Sequence, residues 1–563
     1  MILDNRLANK PGKLYNVPVT EDISIVLCGE AGQGIQTVEN ILTKLLKIAG
    51  FHVFATKEYM SRVRGGINST SIRVSSEKVS AFVDRIDLLV ALDPGRTKHL
   101  SKRITPDTYV LAVPYARLAQ EVGNAIYANV VAIGAIAGLL KIDQLKINEL
   151  LKQYFAAKDQ ATVDNNIKAA AKGYEFARQL KVSFELKSDP AVKDQLIMSG
   201  AEALALGAIA GGCNFIAAYP MTPSTSTFTF LAQQARAFGI VTEQAEDEIA
   251  AVNMALGAWY AGARALVTTS GGGFDLMQEG ISLAGMLESP LVVNIAQRPG
   301  PATGLPTRTE QGDLNLALYS GHGEFPRIIL SPGTIEEGFT LMAKAFNLAD
   351  KYQLPVFILS DQYFVDSYYN FPSLDLSQVK VEKQFVKSAA DYRRYSVTAN
   401  GISPRGIPGY GEGLVAADSD EHDEEGHITE DLELRTRMQD KRRLKLAAAK
   451  SDAIPSELVG KNNYQSLVIG WGSNYHLIKE AISQLKREDV SFLHIKQLYP
   501  LPAEVEEYLK KAQKLIMIEN NAGGQLCQLI KLTTGIEIAD RILKYDGLPF
   551  SVEEIKRGLE KLL

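Results

Sequence analysis

Between residues 215 and 313 short apolar runs alternate with helix-length stretches, and each run stops at a turn of unusual composition. Runs this brief, separated by helical segments, restrict the region to a parallel, doubly wound α/β sheet. Phe215-Ile216-Ala217-Ala218 stops at Tyr219-Pro220-Met221-Thr222-Pro223-Ser224. The two prolines fix φ there and hold the Thr222 hydroxyl at the strand's carboxyl end. Glu246-Asp247-Glu248 then opens a small-residue helix, Ile249 to Gly262, and Ala265-Leu266-Val267 leads into Thr269-Ser270-Gly271-Gly272-Gly273. A third run, Leu291 to Ile295, reaches Gln297-Arg298-Pro299-Gly300-Pro301 and continues to Thr307-Arg308. Open α/β sheets bind ligands beyond the carboxyl ends of their strands. Thr222, the triple glycine, Arg298 and Arg308 are therefore expected at one edge, as a candidate active site. Any one turn alone reads as punctuation, and acids in a first helical turn can simply complement the macrodipole. The combination is what argues for a site.

The same alternation organises the rest of the chain. A first domain, residues 1–185, starts with Ile23-Ser24-Ile25-Val26-Leu27 running into Gly29-Glu30-Ala31-Gly32-Gln33-Gly34 and a helix through Leu46. This is a strand–glycine turn–helix unit of the phosphate-cradling kind. Its Gly-x-x-Gly-x-Gly spacing differs from the dinucleotide fingerprint, so no nicotinamide site is expected. Arg62-Val63-Arg64-Gly65-Gly66 adds two cations on a loop. Close helix–strand packing explains the glycines equally well, and a solvated face explains the arginines. A second domain, 190–385, contains the three turns described above. Residues 386–460 are charged, with the acidic run Asp418 to His427 and a helical pattern from Arg435 to Lys450. That acidic run reads as a solvated loop rather than a metal site, on an ordered insertion or long linker. A third domain, 461–563, repeats the alternation through Leu467-Val468-Ile469, Phe492 to Ile495 and Leu515 to Ile518, ending at Glu519-Asn520-Asn521-Ala522-Gly523-Gly524-Gln525. The expected fold class is α/β, with three parallel-sheet domains.

The Tyr-Pro-x-Thr-Pro turn, the loop Gln297-Arg298-Pro299-Gly300-Pro301-Ala302-Thr303-Gly304-Leu305-Pro306-Thr307-Arg308 and the following Glu310-Gln311-Gly312-Asp313 resemble the pyrimidine-binding domain of thiamine-diphosphate-dependent 2-oxoacid:ferredoxin oxidoreductases. The chain is similar to the α subunit of the two-subunit type, in which a γ-like domain is fused ahead of the pyrimidine domain. Met221 stands where isoleucine is commoner. The resemblance implies oxidative decarboxylation of a 2-oxoacid to acyl-CoA and CO2, with electrons passed to ferredoxin. It implies that Glu248, with Glu246 in reserve, hydrogen-bonds the cofactor's pyrimidine ring. Pro220 and Thr222 would line the cofactor, and Thr222, Arg298 and Arg308 would bind substrate. Gly32, Gly34, Arg62 and Arg64 become candidate contacts for coenzyme A. The third domain is similar to the carboxyl-terminal domain of transketolase-type enzymes. A Gly-Asp-Gly diphosphate motif is missing, since Gly312-Asp313-Leu314 lacks the second glycine. The resemblance therefore places the diphosphate, Mg2+ and a [4Fe-4S] cluster on a β subunit, in a heterodimer or dimer of heterodimers.

Composition agrees with that division of labour. Three cysteines, Cys28, Cys213 and Cys527, without a Cys-x-x-Cys pair, cannot supply four thiolates to a cluster. A net charge of −5 gives no reason to expect nucleic acid. The longest apolar stretch, Val130 to Leu140, is too short to span a bilayer, and Met1 to Asp22 has no hydrophobic signal core, so a cytoplasmic protein is expected. With two arginines on one stiffened loop, 2-oxoglutarate is expected as substrate ahead of pyruvate or a branched-chain acid. The alternative from another class is a non-catalytic coenzyme-A- or nucleotide-binding assembly subunit. A scaffold needs neither Glu248 nor the complete arginine loop.

Overall fold

A computed structural model describes residues 21–30, 34–61, 66–93, 95, 97–180, 182, 184 and 186–563. The chain divides into two compact units: one holds residues up to Met198 with the short segments Ser367–Ser373 and Ser551–Glu553, and the other holds the rest.

The first unit is built on a seven-stranded sheet. Asp22–Glu30 pairs in parallel with Leu88–Ala91 and antiparallel with the central strand, Ile67–Ser75. His52–Glu58 follows antiparallel on Ile67–Ser75, and Tyr368–Phe371 adds antiparallel to His52–Glu58. The sheet is thus mixed, whereas the sequence pattern led to a parallel one. Ile67–Ser75 carries Asn68, Ser69, Thr70 and Ser71 among its apolar residues, and that polarity hides a buried central strand. Helices Ala128–Leu139 and Gln160–Arg178 pack so closely that a Cβ on Gly134 would stand 1.9 Å from the Ala170 carbonyl oxygen.

The second unit contains two larger sheets. One has the order Gln497–Tyr499, Ile328–Leu330, Pro355–Asp361, Leu291–Gln297, Ala265–Thr269, Phe215–Ala218, Val241–Gln244, parallel except for Gln497–Tyr499. Four of these strands are buried along their whole length, as expected for a sheet covered on both faces. The chain moves outward from Phe215–Ala218 to Val241–Gln244 and then returns to Ala265–Thr269 on the other side. That reversal opens a crevice between the carboxyl ends of Phe215–Ala218 and Ala265–Thr269, the place where such sheets bind ligands. The five-stranded sheet of Glu457–Val459, Val490–Ile495, Ser466–Trp471, Lys514–Glu519 and Asp540–Leu543 is parallel apart from its first strand.

The charged insertion is ordered and packs against the larger sheet's helices. On helix Leu432–Ser451, Lys441 and Lys445 are buried, and both pair with buried Glu288. Arg394 donates to the Glu288 carbonyl at 2.8 Å, and Arg405 pairs with buried Asp350. The acidic run is not simply solvated either. His422 is fully buried against the Tyr395 ring, and Glu421 pairs with Arg435 and Arg442. Among the described residues no cluster of histidine, cysteine and carboxylate side chains could hold a metal ion, and no helix is long and apolar enough to cross a membrane.

Candidate active site

The acid cluster at the start of helix Glu248–Tyr260 is sorted by helix geometry. Asp247 is the N-cap, and its side chain accepts a hydrogen bond from the Ala250 amide at 2.7 Å. This cap turns the next residue inward, so Glu248 is 2% exposed while Glu246 stays in solvent. Glu248 Oε1 is out of contact with solvent and has no hydrogen-bond partner. Burial raises its pKa, with Asp247 adding to the shift and Arg298 opposing it.

Gly271 and Gly273, just beyond strand Ala265–Thr269, make room for two carboxyl groups. A Cβ on Gly273 would lie 2.5 Å from Glu248 Oε1, and one on Gly271 would lie 2.4 Å from both carboxyl oxygens of Asp313. The triple glycine therefore serves close approach of side chains. Asp313 Oδ2 is also buried without a partner, as is the Ser270 hydroxyl. Burial, with Glu310 assisting and Arg298 opposing, pushes the Asp313 carboxyl up to about 7.

Arg298 leaves the end of strand Leu291–Gln297 and feels the charges of both Asp313 and Glu248. Its Nη1 donates to the Thr222 carbonyl at 2.6 Å, and its Nε is buried without a partner. Arg298 makes no ion pair among the described residues. The Thr222–Pro223 and Gly300–Pro301 peptide bonds are cis. The structure thus brings Thr222, Glu248 and Arg298 together around the glycines. Pro220 lies exposed at the start of its turn. Arg308 is half-buried at the far end of its loop, with its stem beside Gly547. Its backbone amide closes a turn onto the Leu305 carbonyl at 3.1 Å. Of the four anion-site candidates in the first unit, Gly32, Arg62 and Arg64 lie outside the described residues. Gly34 caps helix Ile35–Ile48 with φ 77°, the left-handed conformation glycine favours.

Sequence reasoning passed over Asp313 as a residue of the site and Gln311 as its support. The Gln311 side chain donates to the Trp471 carbonyl at 3.0 Å and accepts from the Asn520 amide at 3.0 Å and Asn474 Nδ2 at 2.8 Å. Gln525 Nε2 donates to the Gly312 carbonyl at 2.7 Å. The loop after Lys514–Glu519 is itself tied down by buried Glu519, which accepts from the Leu526 and Cys527 amides and from Trp471 Nε1. The carboxyl-terminal sheet thereby fixes the loop that carries Asp313. The signal for this was present in Glu519 to Gln525, a polar run following an apolar strand.

Comparisons with known proteins agree with this geometry. Residues 206–441 match the family described as pyruvate flavodoxin/ferredoxin oxidoreductase, thiamine diphosphate-binding, and residues 24–176 match pyruvate ferredoxin/flavodoxin oxidoreductase. The chain is 31% identical to a 2-oxoacid:ferredoxin oxidoreductase subunit alpha from Sulfolobus sp, over 96% of this chain and 97% of that protein. The chain belongs to the 2-oxoacid:ferredoxin oxidoreductase alpha-subunit family. A Mycobacterium tuberculosis 2-oxoglutarate oxidoreductase subunit is 27% identical over 96% of this chain and 92% of its own length. Among solved structures, the 2-oxoglutarate:ferredoxin oxidoreductase of Magnetococcus marinus, with 2-oxoglutarate, coenzyme A and succinyl-CoA bound, superposes with a TM-score of 0.91. That match has 31% identity and covers 96% of this chain and 99% of that one. This oxidoreductase subunit carries the family's thiamine-diphosphate-binding domain in its second unit and the other matched family in its first.

Proposed function

We propose that this subunit binds the pyrimidine half of thiamine diphosphate and the 2-oxoacid, and that a β subunit completes the enzyme. The substrate proposed is 2-oxoglutarate, converted to succinyl-CoA and CO2 with electrons passed to ferredoxin. The observation that carries the reading is the convergence of Glu248, Arg298 and the Thr222 turn, where buried polar atoms of Glu248 and Arg298 lack partners.

These residues suit the cofactor. Glu248 offers a buried carboxyl oxygen with an unused hydrogen-bonding site, and burial favours its protonated form. It can therefore hold a proton at Oε1 and share it with a ring nitrogen. When bound, thiamine diphosphate supplies the nucleophilic carbon that adds to the 2-oxo group and takes up the electron pair released with CO2. Arg298 is the cation for the substrate carboxylate, because its planar fork matches a carboxylate in a way lysine cannot. Its bond to the Thr222 carbonyl orients both the guanidinium and the threonine turn. Arg308 is proposed to meet the second carboxylate of a dicarboxylate substrate.

The β subunit is proposed to hold the diphosphate, Mg2+ and the [4Fe-4S] cluster. Two features of this chain support that division. Asp313, in the one partial Gly-Asp-Gly match, is packed against Gly271. The three thiols are all buried, and burial pushes Cys28 and Cys213 up to about 12, so neither favours the thiolate a cluster requires. Coenzyme A is assigned to Gly32, Gly34, Arg62 and Arg64, on the strength of the glycine pattern in the sequence, Gly34 at the helix start and the relative whose solved structure has that ligand bound. A cytoplasmic location goes with this reading.

The test is co-purification of the chain with its β subunit, followed by iron analysis and turnover on a panel of 2-oxoacids. Cluster iron is expected on the pair alone, with the highest kcat/KM on 2-oxoglutarate. Stoichiometric cluster iron on the isolated chain, or failure of the pair to turn over any 2-oxoacid, contradicts the proposal.

A further inference from the structure

We propose that Asp313 controls the availability of Arg298: neutral, it leaves the guanidinium free for the substrate carboxylate, and ionised, it competes for it. Binding of the 2-oxoacid then takes up one proton from solvent at Asp313. The inference rests on the reading of Arg298 as the carboxylate-binding residue, and Asp313 acts through that arginine as a positioning residue.

Position is the first support. The Asp313 amide donates to Gln297 Oε1 at 3.0 Å, which fixes the loop beside the residue preceding Arg298. Its carboxyl is wedged against Gly271, so close that any larger residue there would collide with both oxygens. The second support is the unused hydrogen-bonding capacity of the pair. Asp313 Oδ2 and Arg298 Nε are both buried without partners, although each feels the other's charge. A buried carboxylate oxygen with no donor is costly, and protonation removes most of that cost. The third support is the set of charges around the group. Glu310 on the same loop repels the ionised form, and Arg298 from the 291–297 strand attracts it. The glycines of the 271–276 segment carry no charge, and the neighbouring Gln297 and Gln525 are neutral. Glu248 engages Arg298 from the adjacent helix start. Burial and Glu310 outweigh Arg298, so the group titrates near 7 rather than in the usual carboxylate range.

A substrate carboxylate arriving at Arg298 adds one more negative charge to this enclosure, which favours the neutral acid further. The sign of the effect follows. Below pH 7 Asp313 is neutral and Arg298 is free; above it the two carboxylates compete for one guanidinium. A merely structural aspartate would shift KM or stability by the same factor at every pH.

The experiment uses the purified two-subunit enzyme at saturating coenzyme A, with reduction of a viologen dye followed from pH 6 to 8.5 while 2-oxoglutarate is varied. In the native enzyme KM should rise towards about tenfold per pH unit above 7, the limit for a single linked proton. Asp313→Asn keeps the shape and is permanently neutral, so its KM should stay flat, near the native value at pH 6. A native KM that does not change with pH overturns the proposal without recourse to any variant. So does an Asp313→Asn enzyme that keeps the native slope, or one whose KM is flat but raised throughout. Arg298→Met examines the underlying reading separately: an unchanged KM for 2-oxoglutarate there removes Arg298 as the carboxylate partner, whatever Asp313 does.

Discussion

Replacing Glu288 by glutamine tests whether the insertion is held by a buried ionic cluster. Glu288 is 1% exposed and pairs with Lys441 at 2.6 Å and with Lys445; those lysine side chains are 0% and 1% exposed. Burial, together with the neighbouring cations, pulls Lys445 down to about 7, while the lysines hold Glu288 well below the usual carboxylate range. Glu288→Gln leaves Lys441 and Lys445 with no counter-ion. Breaking a buried pair in this way costs about 3–5 kcal/mol. The lysines can limit the loss by releasing a proton, Lys445 most readily because it already titrates near 7. At about 2–4 °C per kcal/mol for a large domain, the second unit should melt roughly 6–20 °C lower. Differential scanning calorimetry reads the shift, and limited proteolysis should show earlier cleavage within 386–460. Removing the charges together, as Glu288→Leu with Lys441→Met and Lys445→Met, should recover most of the loss, because well-packed apolar replacements of buried ion clusters are commonly neutral or better. A Glu288→Gln protein that melts within about 2 °C of the native one refutes the reasoning.

Two further predictions concern recognition. Arg308→Met keeps the stem's packing and removes the fork, so the KM for 2-oxoglutarate should rise selectively while pyruvate turnover holds or improves. Equal losses on both substrates would make Arg308 a structural residue. Replacing Arg62 and Arg64 together by alanine should raise the KM for coenzyme A several-fold and leave that for the 2-oxoacid alone. An unchanged KM for coenzyme A would return both to a solvated basic loop.

What could be read from the sequence depended on how local its cause was. Glu248 was singled out through the resemblance, as the glutamate that opens a small-residue helix, and the Asp247 cap found in the structure is what turns it inward; the second unit's strands were legible as apolar runs ended by glycine or proline. Asp313 was not, because its burial depends on Gly271 and its support comes from Gln525 and Asn520, far along the chain. Lys441 and Lys445 share a helix face at i, i+4 within the charged helical pattern; only Glu288, distant in sequence, makes them interior residues. Tyr368–Phe371 falls within 190–385 by position, yet it pairs with His52–Glu58, since nothing in Tyr-Tyr-Asn-Phe names its partner strand. The mixed character of the first sheet was hidden for the same reason, its central strand being rich in serine and threonine.

The measurement closest to the central claim is steady-state turnover of Glu248→Gln and Glu246→Gln, each assembled with the β subunit, on 2-oxoglutarate. Glutamine keeps the shape and hydrogen-bonding reach of Glu248 and removes the proton it can hold and give. The account predicts a loss of about two or more orders of magnitude in kcat for Glu248→Gln, the scale of lost acid–base assistance, with assembly and melting temperature unchanged. Glu246, exposed to solvent, should tolerate the same change with native turnover. A fully active Glu248→Gln enzyme beside an inactive Glu246→Gln would contradict the account at its centre.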